Sequence, residues 1–395
     1  MSTQGKERWS NVSQENRPND GRGHILVVGA GIGGLSTAIA LRGVGYDVHV
    51  VELKPDMHSS VFGVGIIQPA NALRALDAIG LLDACLAAGQ SSPVWGTMCD
   101  AQGNAVAEMA GARIENYPAM NGITRPKLHQ ILTERALADG IRIEYSKSIE
   151  KLLPGDDYVE AVFTDGLQDN YELVVGADGV RSEVRPYVLP EGVKPRYNGQ
   201  SAWRVNLPRI PEIDRIILQR GPSGVSGFVP IAPDLAYFWL NYACPQGYRP
   251  PADQLHTVLR DLLEGYGGLT AWVRDNHLNN PDGIVLRPEE YLIAPAPWHK
   301  GRIVLIGDAV HTVTPHLGQG AAQAIEDGVV LAEELKANGA DVEKAFEAYV
   351  GRRFDRCKLV VESCVQIGEW QQHPTPDADQ PGLTQRVMDA MVAPL

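Results

Sequence analysis

The run Gly29-Ala30-Gly31-Ile32-Gly33-Gly34 constrains this chain more than any other feature. It follows His24-Ile25-Leu26-Val27-Val28, a short apolar run of the kind a strand buried on both faces requires. Leu35 to Arg42 then reads as a helix stopped by Gly43 and Gly45. Asp47-Val48-His49-Val50-Val51-Glu52 reads as the next strand, which completes a β-α-β unit. The G-x-G-x-x-G spacing inside such a unit is a phosphate grip. Gly29 would make the tight turn, Gly31 would leave room for a pyrophosphate, and Gly34 would let the helix lie close to the sheet, with Gly33 in the same turn. Glu52 ends the second strand about 20 residues on, where an acid accepts hydrogen bonds from an adenosine ribose. A carboxylate there disfavours a 2′-phosphate, so the nucleotide is FAD or NAD rather than NADP.

Two later motifs choose between them. Gly307-Asp308-Ala309-Val310-His311 follows the apolar run Ile303 to Ile306, and Thr314-Pro315-His316-Leu317-Gly318-Gln319-Gly320 leads into a long helix. Asp308 suits a ribityl hydroxyl. The loop and helix start suit the polar edge of a flavin ring, where positive helix charge would stabilise the reduced anion. Gly176-Ala177-Asp178-Gly179-Val180-Arg181-Ser182 also ends a buried strand, with Arg185 just beyond it.

In this order and spacing the three motifs resemble those of the class A flavoprotein monooxygenases, the p-hydroxybenzoate and salicylate hydroxylase group, from His24 to about Gln371. The resemblance implies FAD as cofactor, held by Gly29, Gly31, Gly33, Gly34 and Glu52. It implies that Arg125, in Arg125-Pro126-Lys127-Leu128, contacts the ribityl or pyrophosphate. It associates Asp178-Gly179 with FAD and nicotinamide, and sets Asp308, Pro315, Gly318, Gln319 and Gly320 against the flavin. The implied reaction consumes NADH or NADPH and O2 and hydroxylates a small aromatic or heteroaromatic ring, a phenol or aromatic acid, through a flavin C4a-hydroperoxide. No second G-x-G-x-x-G follows a strand, which suits a family whose nicotinamide cofactor visits a groove.

The fold class expected is α/β: a Rossmann-like FAD-binding domain with an inserted, mainly antiparallel β-sheet substrate domain and C-terminal helices. Residues 1–23 read as a disordered arm, 24–185 with 286–340 as the FAD-binding domain, 186–285 as the substrate domain, and 341–395 as a C-terminal helical segment. Helices are expected over Pro126–Ala138, Ala321–Ala337 and Val342–Gln371. Strands are expected at Ile141–Tyr145, Tyr158–Thr164, Glu172–Val175, Ser201–Leu207, Arg215–Gln219 and Leu235–Tyr242. At 395 residues the chain exceeds what one core usually serves.

Substrate residues are read from the inserted sheet. Arg204 is the candidate grip for a carboxylate or phenolate, the alternative being an ion pair on the sheet surface. Trp203, Phe228, Tyr237 and Trp239 are candidate pocket walls or, alternatively, core. His316, after Pro315, is a candidate general base or a solvent-facing loop residue. His311 reads as a residue that positions the loop, with a proton shuttle as the alternative. The catalytic set is thus Arg204, Tyr237, Pro315 and His316. A net charge of −13 disfavours nucleic acid and anionic membranes as partners. Five scattered cysteines, with no zinc spacing, suggest free thiols, a cytoplasmic location and no metal. Monomer and homodimer both stay open. So do two other functions: a flavin-dependent halogenase, whose Trp-x-Trp-x-Ile-Pro stretch does not occur here, or another FAD oxidoreductase, and a non-catalytic FAD-bound redox sensor.

Overall fold

The computed structural model describes residues 23–59, 65–109 and 111–395; all but Gly23 of the expected N-terminal arm lies outside them. Its centre is a six-stranded sheet in the order His299–Lys300, Ile303–Leu305, Leu173–Gly176, His24–Val28, Asp47–Glu52, Arg142–Tyr145. All neighbours run parallel except the edge hairpin His299–Lys300 with Ile303–Leu305. The central strands are buried on both faces, which is why they read as unbroken apolar runs. Helix Ile32–Gly43 packs on helix Gly320–Asn338, and at their crossing Gly328 meets the backbone of Thr37 so closely that a Cβ would collide.

The expected strands and helices appear with small boundary shifts. The helix expected from Pro126 is Arg125–Ala138. Its N-cap is Thr124, whose hydroxyl accepts from the Lys127 amide at 3.2 Å, and Leu128, Ile131, Leu132 and Ala136 form its buried face.

The second sheet has seven strands: Val285–Tyr291, Arg196–Pro208, Leu235–Ala243, Gly224–Pro230, Ile216–Gly221, Gly96–Cys99, Ala105–Met109. The last two come from far upstream, and Gly96–Cys99 joins Ile216–Gly221 in parallel. Sequence reading singled out neither. One face of this sheet packs on helices Leu255–Leu262 and Gly268–Asn276 through Trp203, Val205, Phe228, Phe238 and Leu259. The other carries Ile231 and Tyr237 against Leu317 and the C-terminal helices Val342–Gln372 and Gln380–Val392, with Met388 and Met391 fully buried. All five cysteines are free thiols, and four are buried. Among the described residues no helix is long and apolar enough to cross a membrane.

Candidate active site

Parallel strands deliver all three motifs to one edge of the first sheet. Val28 lies beside Val51 and Gly176, and Gly176 lies beside Leu305. The glycine turn, Glu52, Ala177–Gly179 and Gly307–Asp308 therefore emerge together at the carboxyl ends of their strands, where open α/β sheets bind ligands. Gly29 has φ +105, a left-handed conformation that disfavours any side chain. A Cβ on Gly34 would collide with the Gly29 carbonyl, whereas one on Gly31 would meet nothing within 4 Å. Turn, open face and close helix approach are thus divided among the glycines as their spacing predicts. Gly31 is the N-cap and has no side chain to occupy the free amides of the helix.

One wing of the cleft suits an adenosine. Glu52 accepts from the Ala30 and Lys54 amides, both at 2.9 Å, and still lines the cleft. Beside it Leu53 is 61% exposed, an apolar surface for a flat base. Asp178 accepts from the Glu183 and Val184 amides at 2.7 and 3.0 Å, while its Oδ1 is buried without a partner among the described residues. His129, from the next helix, donates to the Ala30 carbonyl at 2.7 Å and steadies the turn.

The other wing is lined by Gly33, Arg125, Gly307, Asp308, Gly320 and Ala321. Arg125 and Asp308 are exposed to the cleft. Enclosure by protein on Asp308's other sides raises its carboxyl, and His311, Arg125 and Arg185 pull it back down. Arg185 staples two motifs together, donating to the Ala309 carbonyl at 2.6 Å and the Val180 carbonyl at 3.0 Å. An open phosphate face, an Arg125 with no hydrogen bond or ion pair among the described residues, an orphaned Asp178 oxygen and a bare Leu53 fit FAD.

Gly318 adopts the left-handed conformation that the Pro315–Gly320 loop needs, with φ +64. Gln319 corrects the sequence reading: its side chain turns away from the cleft. It is fully buried, accepting from Asn71 at 3.0 Å and Gln323 at 3.1 Å. This belongs to a larger buried network. Asp327 accepts from the Gly307 amide at 2.8 Å and from His311 at 2.5 Å, and Arg353 donates to Asp327 at 2.8 Å and to Glu326 at 2.7 Å. Burial alone would suppress the charge on His311, but the Asp327 carboxylate outweighs it and holds His311 well above its ordinary value. His311 therefore positions the Gly-Asp turn. His311, Asp327 and Cys357 also lie close enough to suggest a metal, yet the cation among them is the Arg353 guanidinium.

Arg204 meets the cleft from the second sheet. It is half-buried, makes no ion pair or hydrogen bond among the described residues, and shares a cavity wall with Asp308, Thr314 and Pro315. It is not a paired surface residue. Tyr237 and Trp239 lie on its side of the sheet, with Arg204 directly opposite Trp239. Burial pushes the Tyr237 phenol up to about 12, with Arg204 pulling the other way, so it stays neutral. Trp203 and Phe228 face away, fully buried among the helices, and are core rather than pocket wall. His316 is neither solvent-facing nor near an ordinary pKa. Its side chain is fully buried, its ring nitrogens meet Thr314 at 2.9 Å and Gln200 at 3.2 Å, and burial pushes it down to about 4. A ring held that way braces the loop.

Sequence reading missed Leu53, His129, Asp327, Arg353 and Glu289. Glu326-Asp327 carried a signal: two acids interrupt an otherwise small and apolar helix segment. Glu289 carried none, since Pro288-Glu289-Glu290 looks like a solvated strand.

Comparison with known proteins agrees with this geometry. An FAD binding domain family matches residues 22–236 and 292–364. A Bacillus subtilis (strain 168) protein designated YetM is 33% identical over 360 residues, covering 90% of this chain and 96% of that one. The 6-hydroxynicotinate 3-monooxygenase of Pseudomonas fluorescens is 32% identical over 365 residues, covering 85% and 89%. The crystal structure of Klebsiella pneumoniae HpxO complexed with FAD and uric acid superposes with a TM-score of 0.81 at 22% identity, covering 93% and 95%, which shows a shared fold. With its motifs converging on one dinucleotide cleft, the chain belongs to the FAD-binding class A flavoprotein monooxygenases, the aromatic hydroxylase group.

Proposed function

We propose that this enzyme uses NADH or NADPH and O2 to hydroxylate a small nitrogen-containing aromatic ring that carries an acidic or oxo group. The single observation behind the reading is Arg204: a half-buried guanidinium with no partner among the described residues, on the wall of the cavity that meets the flavin wing at Asp308 and Val313. A planar two-pronged donor so placed suits a carboxylate or ring oxygen. Nitrogen heteroaromatics are favoured because the relatives include a hydroxynicotinate monooxygenase, and the fold neighbour was solved with uric acid.

The reaction balances as NAD(P)H, a proton, O2 and the arene giving NAD(P)+, water and the hydroxyarene. Bound FAD supplies the redox chemistry, as an electron relay from the nicotinamide to oxygen. The chain's own residues bind and orient. Gly29 to Gly34, Glu52 and Asp178 would hold the adenosine and pyrophosphate, Arg125 and Asp308 the ribityl chain, and Pro315, Gly318 and Gly320 the flavin's polar edge. Arg204 would fix the ring, neutral Tyr237 would form one wall, and the apolar packing of Leu317 with Met388 and Met391 would keep water out. Hydroxybenzoates, hydroxypyridines, quinolines and purines, scored for stimulated NAD(P)H oxidation and hydroxylated product, test the reading. At least one class is expected to accelerate oxidation with product formed. If every compound leaves the basal rate unchanged, a redox sensor becomes the better reading.

A further inference from the structure

The cavity that carries Arg204 is also lined by Glu289, which the proposed reaction has not yet used. Glu289 is 3% exposed. Its Oε2 accepts from the Asn198 amide group at 3.0 Å, and its Oε1 is buried with no partner among the described residues. A carboxyl kept only to fill space or staple a strand would have both oxygens satisfied, because an unpaired buried oxygen costs stability.

The backbone goes out of its way to bring Glu289 there. Between Tyr197↔Glu290 and Ser201↔Pro288 the ladder breaks, so that Asn198, Gly199 and Gln200 stand opposite Glu289 alone. Gly199, at φ +93, makes this bulge possible. Bulges beside active sites re-aim side chains. This one turns Asn198 onto Glu289 and Gln200 onto His316. Gly368 on the long C-terminal helix leaves room for them; a Cβ there would press on Gln200, His316 and Asn198. The groups facing Glu289 are Arg204 and Tyr197 from the bulged strand, His316 from the Pro315 loop and Cys364 from the helix. Arg204 brings a fixed positive charge, and buried His316 is neutral near pH 7.

We propose that Glu289 is a specificity-determining residue of the reaction site, an acceptor that reads a ring N–H beside the oxygen or carboxylate gripped by Arg204. The proposal rests on the hydroxylase reading above and narrows its substrate class to lactam-like heteroaromatics, rings that offer a donor and an acceptor on neighbouring atoms. Carbocyclic phenols lack the ring N–H and, with their oxygen held by Arg204, would leave the Glu289 oxygen unpaired, the strongest basis for rejecting an analogue. Burial pushes the Glu289 carboxyl up to about 7, with Asn198 and Arg204 pulling it down, so its acceptor character grows as pH rises through neutrality.

The test uses the FAD-loaded enzyme and two probes of the same outline, 6-hydroxynicotinate and 4-hydroxybenzoate, with binding read from the flavin absorption band. Wild type should bind the pyridine at least tenfold more tightly, with affinity rising between pH 6 and 8. Glu289→Gln keeps an acceptor for Asn198 but cannot ionise; it should lose the pH dependence and at least fivefold of the preference. Glu289→Leu should lose the preference altogether. If both variants discriminate like wild type, or wild type prefers the benzoate, the inference is overturned and the hydroxylase reading survives. If wild type binds neither probe and no ring in the wider panel stimulates oxidation, the hydroxylase reading itself has failed.

Discussion

Two buried polar clusters flank the Pro315–Gly320 loop, and they are built on opposite principles. Behind the flavin wing, Glu326 and Asp327 have every carboxylate oxygen occupied. Glu326 accepts from Asn71, Arg353 and Arg356, and Asp327 from Arg353, His311 and the Gly307 amide. Beside the substrate cavity, Glu289 has one oxygen bonded and one bare, and Arg204 has no partner among the described residues. A satisfied network defines a rigid position; an unsatisfied one leaves free energy for a ligand to recover. The first therefore holds the cofactor turn in place. The second has the character of a recognition surface, kept at a cost in stability.

The largest expected effect of breaking that contrast is at Arg353. Arg353→Leu removes the shared cation and leaves Glu326 and Asp327 in a dry interior with donors missing. Loss of one partner from a buried ion pair costs about 3–5 kcal/mol. Because Asp327 also holds Gly307 and His311, FAD should be released at lower denaturant in the variant. Thermal and urea melts with flavin fluorescence check this. A variant that melts like wild type and keeps its flavin would mean the network is not what fixes the turn.

The two clusters also differed in how legible they were. The nucleotide half could be read because its physics is local: buried parallel strands are continuous apolar runs, and Gly29, Gly31 and Gly34 sit where a turn and a close helix require them. Arg353 and Asp327 are 26 residues apart on successive helices, and only the lodging of Glu326-Asp327 in an apolar stripe marks them. Gly96–Cys99 and Ala105–Met109 were invisible because they are short, the second is mostly exposed, and the strand that joins the pair to the sheet, Ile216–Gly221, lies more than a hundred residues downstream. Glu289 was hidden by the bulge. Period-2 alternation says nothing about a ladder in which three residues face one. His316 misled because a histidine after a loop proline looks accessible, whereas the long C-terminal helix covers it.

A smaller effect, of opposite sign, is expected at Glu289. Its carboxyl is raised from the ordinary 4.5 to about 7. Between those values the folded chain keeps a proton that the unfolded chain has released. Stability therefore falls as pH rises across that window, by up to about 3 kcal/mol, and stays reduced above it. Glu289→Gln removes the penalty. It should melt higher than wild type at pH 8, and the gap should shrink toward pH 5. A gap of the same size at both values would mean that Glu289 is ionised throughout.

The smallest stability effect, and the sharpest comparison, sets one arginine against another. Arg353 is fully buried and saturated with acceptors; Arg204 is half-buried and bonded to nothing described. Arg204→Leu removes no existing bond and adds apolar surface to a cavity wall, so the unliganded protein should change by no more than about 0.5 kcal/mol. Ligand binding should respond far more. A charge-assisted hydrogen bond contributes about 1.5–3 kcal/mol, so the variant should bind an aromatic acid roughly ten- to a hundredfold more weakly in a flavin-absorbance titration. Glu289 sets the sign of a secondary effect. Without the guanidinium nearby, its carboxyl loses a favourable neighbour and should titrate still higher, moving the pH dependence of its stability penalty upward. If Arg204→Leu instead melts as early as Arg353→Leu, Arg204 is structural, and the division between a saturated cluster that holds and an open cluster that recognises fails at its most exposed point.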